Sequence, residues 1–215
     1  AWQVERAAPV VVIAGDAFAA RAVNAGRLVS LAEWRALAVG DTSDASGYDD
    51  PARDAAILFT SGTTGRPKGA VLTHRNLIAN VLQSEAWIRP QLDPGAALIA
   101  ITALPLYHIF ALTANSLTMI KLGAHNILIP NPRDFTAFVQ ELARHRFSFF
   151  AGVNTLFNAL LHTPGFDSLD FSGLRVSLGG GMAVQQAVAE RWKAVTGNVL
   201  TQAWGLTETS PAACI

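Results

Sequence analysis

Cysteine is almost missing from this sequence: Cys214 is the single thiol in 215 residues. That excludes an internal disulfide framework and any multi-cysteine zinc site, and it fits a reducing compartment. Charge is scarce as well. Asp, Glu, Lys and Arg make up 15% of the chain, against about 25% in an average globular protein. The 16 basic and 16 acidic residues cancel to a formal net charge of zero, which argues against the basic excess of a nucleic-acid-binding surface. No secretory signal is expected at 1–20, because the apolar run at 10–14 is short and leads into Gly15-Asp16. Residues 94–120 lack Asp, Glu, Lys and Arg and are long enough to imitate a membrane span. Pro105, Tyr107, His108 and Asn115 interrupt that stretch and its apolar spacing changes halfway, so it is expected to be a buried strand, a loop and a helix. No internal repeat or low-complexity tract is present.

Apolar residues, by contrast, are plentiful at 51%. That is the core composition of a large domain. With no initiator Met and an apolar last stretch, Pro211-Ala-Ala-Cys-Ile215, the sequence is expected to be a piece of something longer.

The pattern along the chain is regular. A short strand is expected at 10–14, and Ser30-Leu-Ala-Glu33 has the form of a capping box opening a helix with Leu31, Trp34 and Leu37 on one face. Gly40 can stop that helix. Residues 41–50 hold four Asp and no basic residue, the composition of a solvated linker. The expected division is therefore 1–50, the tail of a preceding subdomain plus acidic linker, and 51–215, an α/β subdomain.

After the linker come an apolar strand at 55–60, a short return strand at Val71-Leu72, and a helix capped by Thr73 that carries Leu77, Val81 and Ile88 and stops near Pro90. Strands are expected at 97–104, 126–130, 147–151, 174–178 and 198–203, with helices at 109–121, 135–146, 155–162 and 183–196 between them. Phe135, Phe138, Val139, Leu142 and Ala143 form one core-facing stripe. Val184, Val188, Trp192 and Val195 form another, with Gly197 as its stop. Apolar strands alternating with amphipathic helices predict an α/β fold, a largely parallel sheet with helices on both faces.

Ligands of such sheets bind beyond the carboxyl ends of the strands. The segments following the expected strands are Ser61-Gly-Thr-Thr-Gly65, Leu106-Tyr-His108, Gly152-Val-Asn154, Gly179-Gly-Gly181 and Gly205-Leu-Thr-Glu208. Glycines, hydroxyls, one His and one Glu are thus expected along one edge.

The sharpest of these is Thr60-Ser-Gly-Thr-Thr-Gly-Arg-Pro-Lys-Gly69. Its glycines let backbone N–H groups turn towards an anion, the hydroxyls of Thr60, Ser61, Thr63 and Thr64 add donors, and Lys68 supplies a point charge for phosphate. It is not a Walker A loop, since Lys68 follows Pro67 and precedes Gly69. The plainer alternative is a polar hairpin turn.

This segment resembles the phosphate-binding loop of the adenylate-forming enzymes, which include acyl-CoA synthetases, luciferases and peptide-synthetase adenylation domains. Two further signatures of that family follow in order: the aromatic-His element Leu104-Pro-Leu-Tyr-His-Ile-Phe110 and the Gly-x-Thr-Glu element Gly205-Leu-Thr-Glu208. With Asn131-Pro-Arg-Asp134, Gly152-Val-Asn-Thr-Leu-Phe157 and Gly179-Gly-Gly-Met-Ala-Val-Gln-Gln186, residues 58–211 resemble bacterial long-chain fatty-acid–CoA ligases most closely.

The resemblance implies ATP, Mg²⁺ and coenzyme A as cofactors or co-substrates, and a fatty acid as the group activated through acyl-AMP. It assigns β- and γ-phosphate contacts to Thr60, Ser61, Gly62, Thr63, Thr64, Gly65 and Lys68. Glu208 would hold Mg²⁺ and Thr207 would donate to the α-phosphate. His108 would orient the attacking carboxylate; a His in an apolar stretch is more usually a hydrogen-bonded core residue, but its place at a strand's C-terminal end favours the site. Gly179, Gly180 and Gly181 would let backbone pass near adenine and acyl chain, or simply turn strand into helix. Gln202, Ala203, Trp204 and Gly205 would wall the adenine, with Ala203-Trp204 departing from the family's commoner Gly-Tyr. Phe110, Leu112, Val153, Leu156, Phe157 and Leu160 are open between acyl-tunnel lining and core.

By the same resemblance, a ribose-binding Asp, a later Arg and a small domain with a catalytic Lys are expected beyond residue 215, so the chain alone is expected to form no acyl-CoA. A cytoplasmic place is implied, with or without peripheral contact at the inner membrane face, and no nucleic-acid partner. Another adenylate-forming ligase for aryl or medium-chain acids, and a non-catalytic nucleotide- or acyl-binding module, remain the alternatives.

Overall fold

The computed structural model describes residues 11–14, 27–30, 33, 50–61 and 65–215. These divide into two compact units, one within residues 1–71 and one within 72–215.

In the first unit, β1 (Val11–Ala14) runs parallel to β2 (Arg27–Ser30). The expected capping box is formed: the Ser30 backbone N–H donates to Glu33 Oε2 at 2.8 Å and the Glu33 N–H donates to Ser30 Oγ at 3.2 Å. The stripe expected at Leu31, Trp34 and Leu37, and nearly all of the acidic stretch, lie outside the described residues. β3 (Asp54–Thr60) and β4 (Lys68–Thr73) form a second two-stranded sheet. The 61–67 connection therefore joins two strands of one small sheet and does not follow a strand of the larger one. Four of the five glycine and hydroxyl loops thus follow strands of the larger sheet.

The second unit opens with α1 (His74–Ile88). Thr73 Oγ1 accepts from the Asn76 N–H at 3.2 Å, and Asn76 Oδ1 accepts from the Thr73 N–H at 3.3 Å, a capping box with Asn in the usual Glu place. Leu77, Val81 and Ile88 are buried as their spacing predicts, together with Asn80 and Ser84. Pro90 then breaks the helix into a 3₁₀ turn, Arg89–Gln91.

Five strands follow: β5 (Ile99–Thr102), β6 (His125–Leu128), β7 (Phe149–Gly152), β8 (Val176–Gly179) and β9 (Leu200–Gln202). They form one sheet in the order β6-β5-β7-β8-β9, parallel throughout. Residues 94–120 resolve into loop, strand, loop and helix. Among the described residues no helix is long and apolar enough to cross a membrane.

Strand side chains alternate between faces. Ala100, Phe149, Ala151, Val176 and Leu178 point to one side, where they pack with Ile88 of α1 and with Ala114 and Met119 of α2, a π-helical segment Ala111–Leu117 continuing as Thr118–Lys121. Ile101 and Phe150 point to the other side, covered by α3 (Phe135–Leu142), α4 (Asn154–Leu161) and α5 (Gln186–Thr196). There Trp192 meets Phe157 edge to face with ring centroids 4.7 Å apart, and its Nε1–H donates to the buried Ser177 Oγ at 2.9 Å.

Two helix limits differ from the periodicity. α3 ends at Leu142 because the next amides, Arg144 and His145, bond three residues back, and Ala143 is left exposed. α5 starts at Gln186, so Val184 belongs to the turn before it, where it packs on Gly179. Gly197 closes α5 at φ 72°, the left-handed conformation expected of a glycine stop.

Candidate nucleotide site

Parallel pairing puts the carboxyl ends of the strands in one row: Thr102 lies opposite Leu128 and Ala151, Gly152 opposite Gly179, and Gly179 opposite Gln202. The segments carrying His108, Asn154, Gly180, Gly181 and Ala203–Glu208 all leave this one edge. The sequence expectation of convergence holds for these four loops.

Glycine 179 is the last residue of β8, and a Cβ on it would meet Val184 Cγ2 at 2.6 Å. Gly180 donates its N–H to the Gly152 carbonyl at 3.1 Å, and a Cβ there would meet the Phe110 ring at 3.0 Å and the Ala203 carbonyl at 3.3 Å. Gly181 turns with φ 74°. Asn154, buried, accepts from the Gln185 N–H at 2.9 Å, so it ties the start of α4 to the start of α5.

His108 is exposed in the turn before α2, which removes the core-histidine alternative. Its Nδ1 accepts from the Phe110 N–H at 3.2 Å. The neutral ring therefore carries its proton on Nε2, where it is a donor for a carboxylate or phosphate oxygen. Tyr107 beside it is 86% exposed.

Gln202 ends β9, and Ala203 donates its N–H to the Gly179 carbonyl at 2.8 Å. Trp204 and Gly205 form β10, antiparallel to β11 (Ala212–Cys214), with Trp204 opposite Cys214. Trp204 is 61% exposed. Between the two strands the chain makes a 3₁₀ turn, Thr207–Thr209. Thr209 Oγ1 accepts from the Leu206 N–H at 2.8 Å, and Leu206 N–H also reaches the Pro211 carbonyl at 3.2 Å. Ser210 is buried with φ 69°, a left-handed conformation that costs a non-glycine residue about 1–2 kcal/mol. Glu208 is exposed, and no partner pairs with its carboxylate among the described residues.

Two residues that the sequence reading passed over hold this turn. Asn80 of α1 bonds both backbone groups of Ala212, and Thr113 of α2 donates to the Ser210 carbonyl at 3.2 Å. Each is a polar residue on a buried helix face, and that was the available signal.

In the first unit, Thr60 Oγ1 donates to the Lys68 carbonyl at 3.4 Å across the mouth of the 61–67 loop. That hydroxyl thus ties the two strands and does not stand free. Ser61 and Lys68 are exposed, Gly65 has φ 114°, and Gly62, Thr63 and Thr64 lie outside the described residues. Of the residues open between tunnel and core, Leu156, Phe157 and Leu160 are core, packed around Phe150 and Trp192; Phe110 is buried in the opposite cluster, and Leu112 and Val153 are half-buried.

The family of AMP-binding enzymes matches residues 2–215, nearly the whole chain. The chain belongs to that family. A long-chain-fatty-acid–CoA ligase of Escherichia coli O6:H1 is 57% identical over 157 residues, which is 73% of this chain and 28% of that protein. One from Haemophilus influenzae is 52% identical over 163 residues, 74% of this chain and 29% of that protein. The chain thus spans under a third of the curated relatives it matches. Among solved structures, ATP-bound MatB from Rhodopseudomonas palustris superposes with a TM-score of 0.82 at 27% identity, over 98% of this chain and 42% of that one. The parallel α/β sheet is accordingly the sheet of an AMP-binding enzyme's N-terminal region.

Proposed function

We propose that this chain carries the nucleotide-handling region of an ATP-dependent long-chain fatty-acid–CoA ligase. The observation that carries the reading is the convergence of His108, Gly180 and the Trp204–Glu208 turn at one sheet edge, in a chain 57% identical over 157 residues to a long-chain-fatty-acid–CoA ligase. A carboxylate is a poor electrophile and needs activation. First it attacks the α-phosphorus of ATP, forming a C–O–P link as pyrophosphate leaves. Then the coenzyme A thiol attacks the acyl carbon, losing its proton, and AMP leaves. Both reactants of the first step are anions, so positioning and charge neutralisation dominate it.

The chain's own groups suit those tasks. Lys68, with Ser61, Gly62, Thr63, Thr64, Gly65 and the backbone of Thr60, supplies charge and donors to the β- and γ-phosphates. His108 Nε2–H orients the attacking carboxylate, Thr207 donates to the α-phosphate, and the Trp204 indole stacks on adenine between Ala203 and Gly205. Among the described residues no three His, Cys, Asp or Glu side chains cluster. An exposed single carboxylate such as Glu208 fits Mg²⁺, which is commonly held by one or two carboxylates together with substrate phosphates. Bound there, Mg²⁺ neutralises phosphate charge.

The test is ATP–pyrophosphate exchange by the full-length protein across a ladder of carboxylic acids. Exchange peaking with long-chain fatty acids is the expected result, and a preference for aryl or medium-chain acids overturns the substrate assignment. In the same protein, Lys68→Ala should slow acyl-AMP formation more than it weakens ATP binding. An unchanged rate would return Lys68 to the role of a loop residue.

A further inference from the structure

Asn80 occupies a place in α1 that its neighbours make apolar. Leu77 and Val81 flank it on the same buried face, and it is 3% exposed. Both ends of its carboxamide go to one residue, 132 positions away: Nδ2 donates to the Ala212 carbonyl at 2.8 Å, and Oδ1 accepts from the Ala212 N–H at 3.2 Å. The side chain stands in for a strand, adding a rung to β11. Thr113, fully buried in the π-helical segment, donates to the Ser210 carbonyl two residues earlier, and Ser210 is itself buried. The segment's widened spacing shows in the Thr118 N–H, which bonds five residues back to the Thr113 carbonyl.

The turn so gripped is otherwise closed on itself. Leu206 bonds to Thr209 and Pro211, and the Ser210 N–H donates to the Thr207 carbonyl at 3.3 Å. Gly205 pairs with Ala212, so a grip on Ala212 is passed to both arms of the turn. Leu206 and Glu208 are exposed. Buried polar side chains are costly unless bonded, and apolar ones would pack on these helix faces without that cost. Asn80 and Thr113 are the hydrogen-bonding side chains through which α1 and α2 hold this turn.

We propose that Asn80 and Thr113 are positioning residues, a two-point clamp that aims Glu208 and Thr207 at the phosphates and metal of the bound nucleotide. This rests on the reading of Glu208 given above. A clamp acting through Glu208 affects what Glu208 binds and leaves the acyl substrate alone.

The experiment uses the full-length protein and four variants, Asn80→Ala, Thr113→Val, Glu208→Gln and the double variant Asn80→Ala/Glu208→Gln. Calorimetric ATP titrations are run with and without Mg²⁺, beside melting temperature and the KM for a long-chain fatty acid. Loss of a metal ligand's hydrogen-bonded support commonly costs about 10- to 100-fold in metal affinity. Asn80→Ala and Thr113→Val are each expected to weaken Mg²⁺-dependent ATP binding about tenfold while shifting Mg²⁺-free binding and the fatty-acid KM by less than about twofold, and Asn80→Ala should add less than about twofold on the Glu208→Gln background. Thr113→Val is nearly isosteric and decides the matter if Asn80→Ala fails to fold. Should Glu208→Gln bind Mg²⁺ and ATP normally, the reading of Glu208 fails and the clamp's role falls with it. If Glu208→Gln is impaired and the two clamp variants are not, the clamp proposal alone is overturned. Equal losses in ATP affinity, fatty-acid KM and melting temperature would make both residues scaffold and overturn it too.

Discussion

The Pro211 carbonyl oxygen lies so close over Gly205 that a Cβ on residue 205 would meet it at 1.8 Å. The obstacle is backbone on both sides, so no side chain can rotate away. Gly205→Ala must push β10 and β11 apart. The expected cost is about 1–3 kcal/mol of stability, as for other overpacked sites, with loss of ATP binding by the displaced turn. Melting temperature and an ATP titration check this, and a variant that melts and binds like the parent refutes the tight contact.

Gly180 and Phe110 offer a milder version of the same test. Here the nearest obstacle is the Phe110 ring at 3.0 Å, a side chain that can be made smaller. Gly180→Ala should destabilise by about 1–3 kcal/mol, and Phe110→Leu in the same chain should recover part of that. Additive losses in the double variant would show that the two positions do not touch.

Trp204 is exposed enough to stack without being needed for the core. Stacking of a base on an aromatic ring is worth about 1–3 kcal/mol. Trp204→Ala should therefore weaken ATP binding by roughly ten- to a hundredfold with little change in melting temperature. Trp204→Tyr should be nearly silent. Equal behaviour of Ala and Tyr would make the indole a strand residue only.

Acid should expose a surface contact. The hydrogen bond from Arg175, 2.6 Å away, holds the Asp93 carboxyl below its ordinary value of 3.8. A carboxyl depressed in the folded state adds stability that is complete above the ordinary value and is lost as pH falls through the lower folded one. Glu85 behaves alike, with Arg89 as its main partner. Asp93→Asn should flatten the fall in stability below about pH 4, by a small amount that added salt reduces further. Urea unfolding across an acid pH series reads this, and an unaltered acid limb would show that the pair is worth nothing in solution.

Much of the architecture is written locally. Apolar runs such as Phe149-Phe150-Ala151 suit strands buried on both faces, and the spacing of Phe138, Val139 and Leu142 suits a helix laid on such a sheet. Parallel order follows from their alternation, and with it the edge where His108, Gly180 and Glu208 gather. The glycine, hydroxyl and Thr-Glu motifs were readable for the same reason: each is a run of neighbours whose backbone and side chains act together. Even the capping boxes at Ser30 and Thr73 are contacts between residues three apart.

Packing decided the rest. That β3 and β4 form their own small sheet depends on strand pairing, which no run of residues declares. The partners of Asn80 and Thr113 could not be named before the fold brought Ala212 and Ser210 to them across 132 and 97 residues. The need for glycine at 205 comes from Pro211, which reaches it only through the turn between them. Periodicity is a property of neighbours, and a hydrogen bond or a steric limit between distant residues exists only once the core has set their positions.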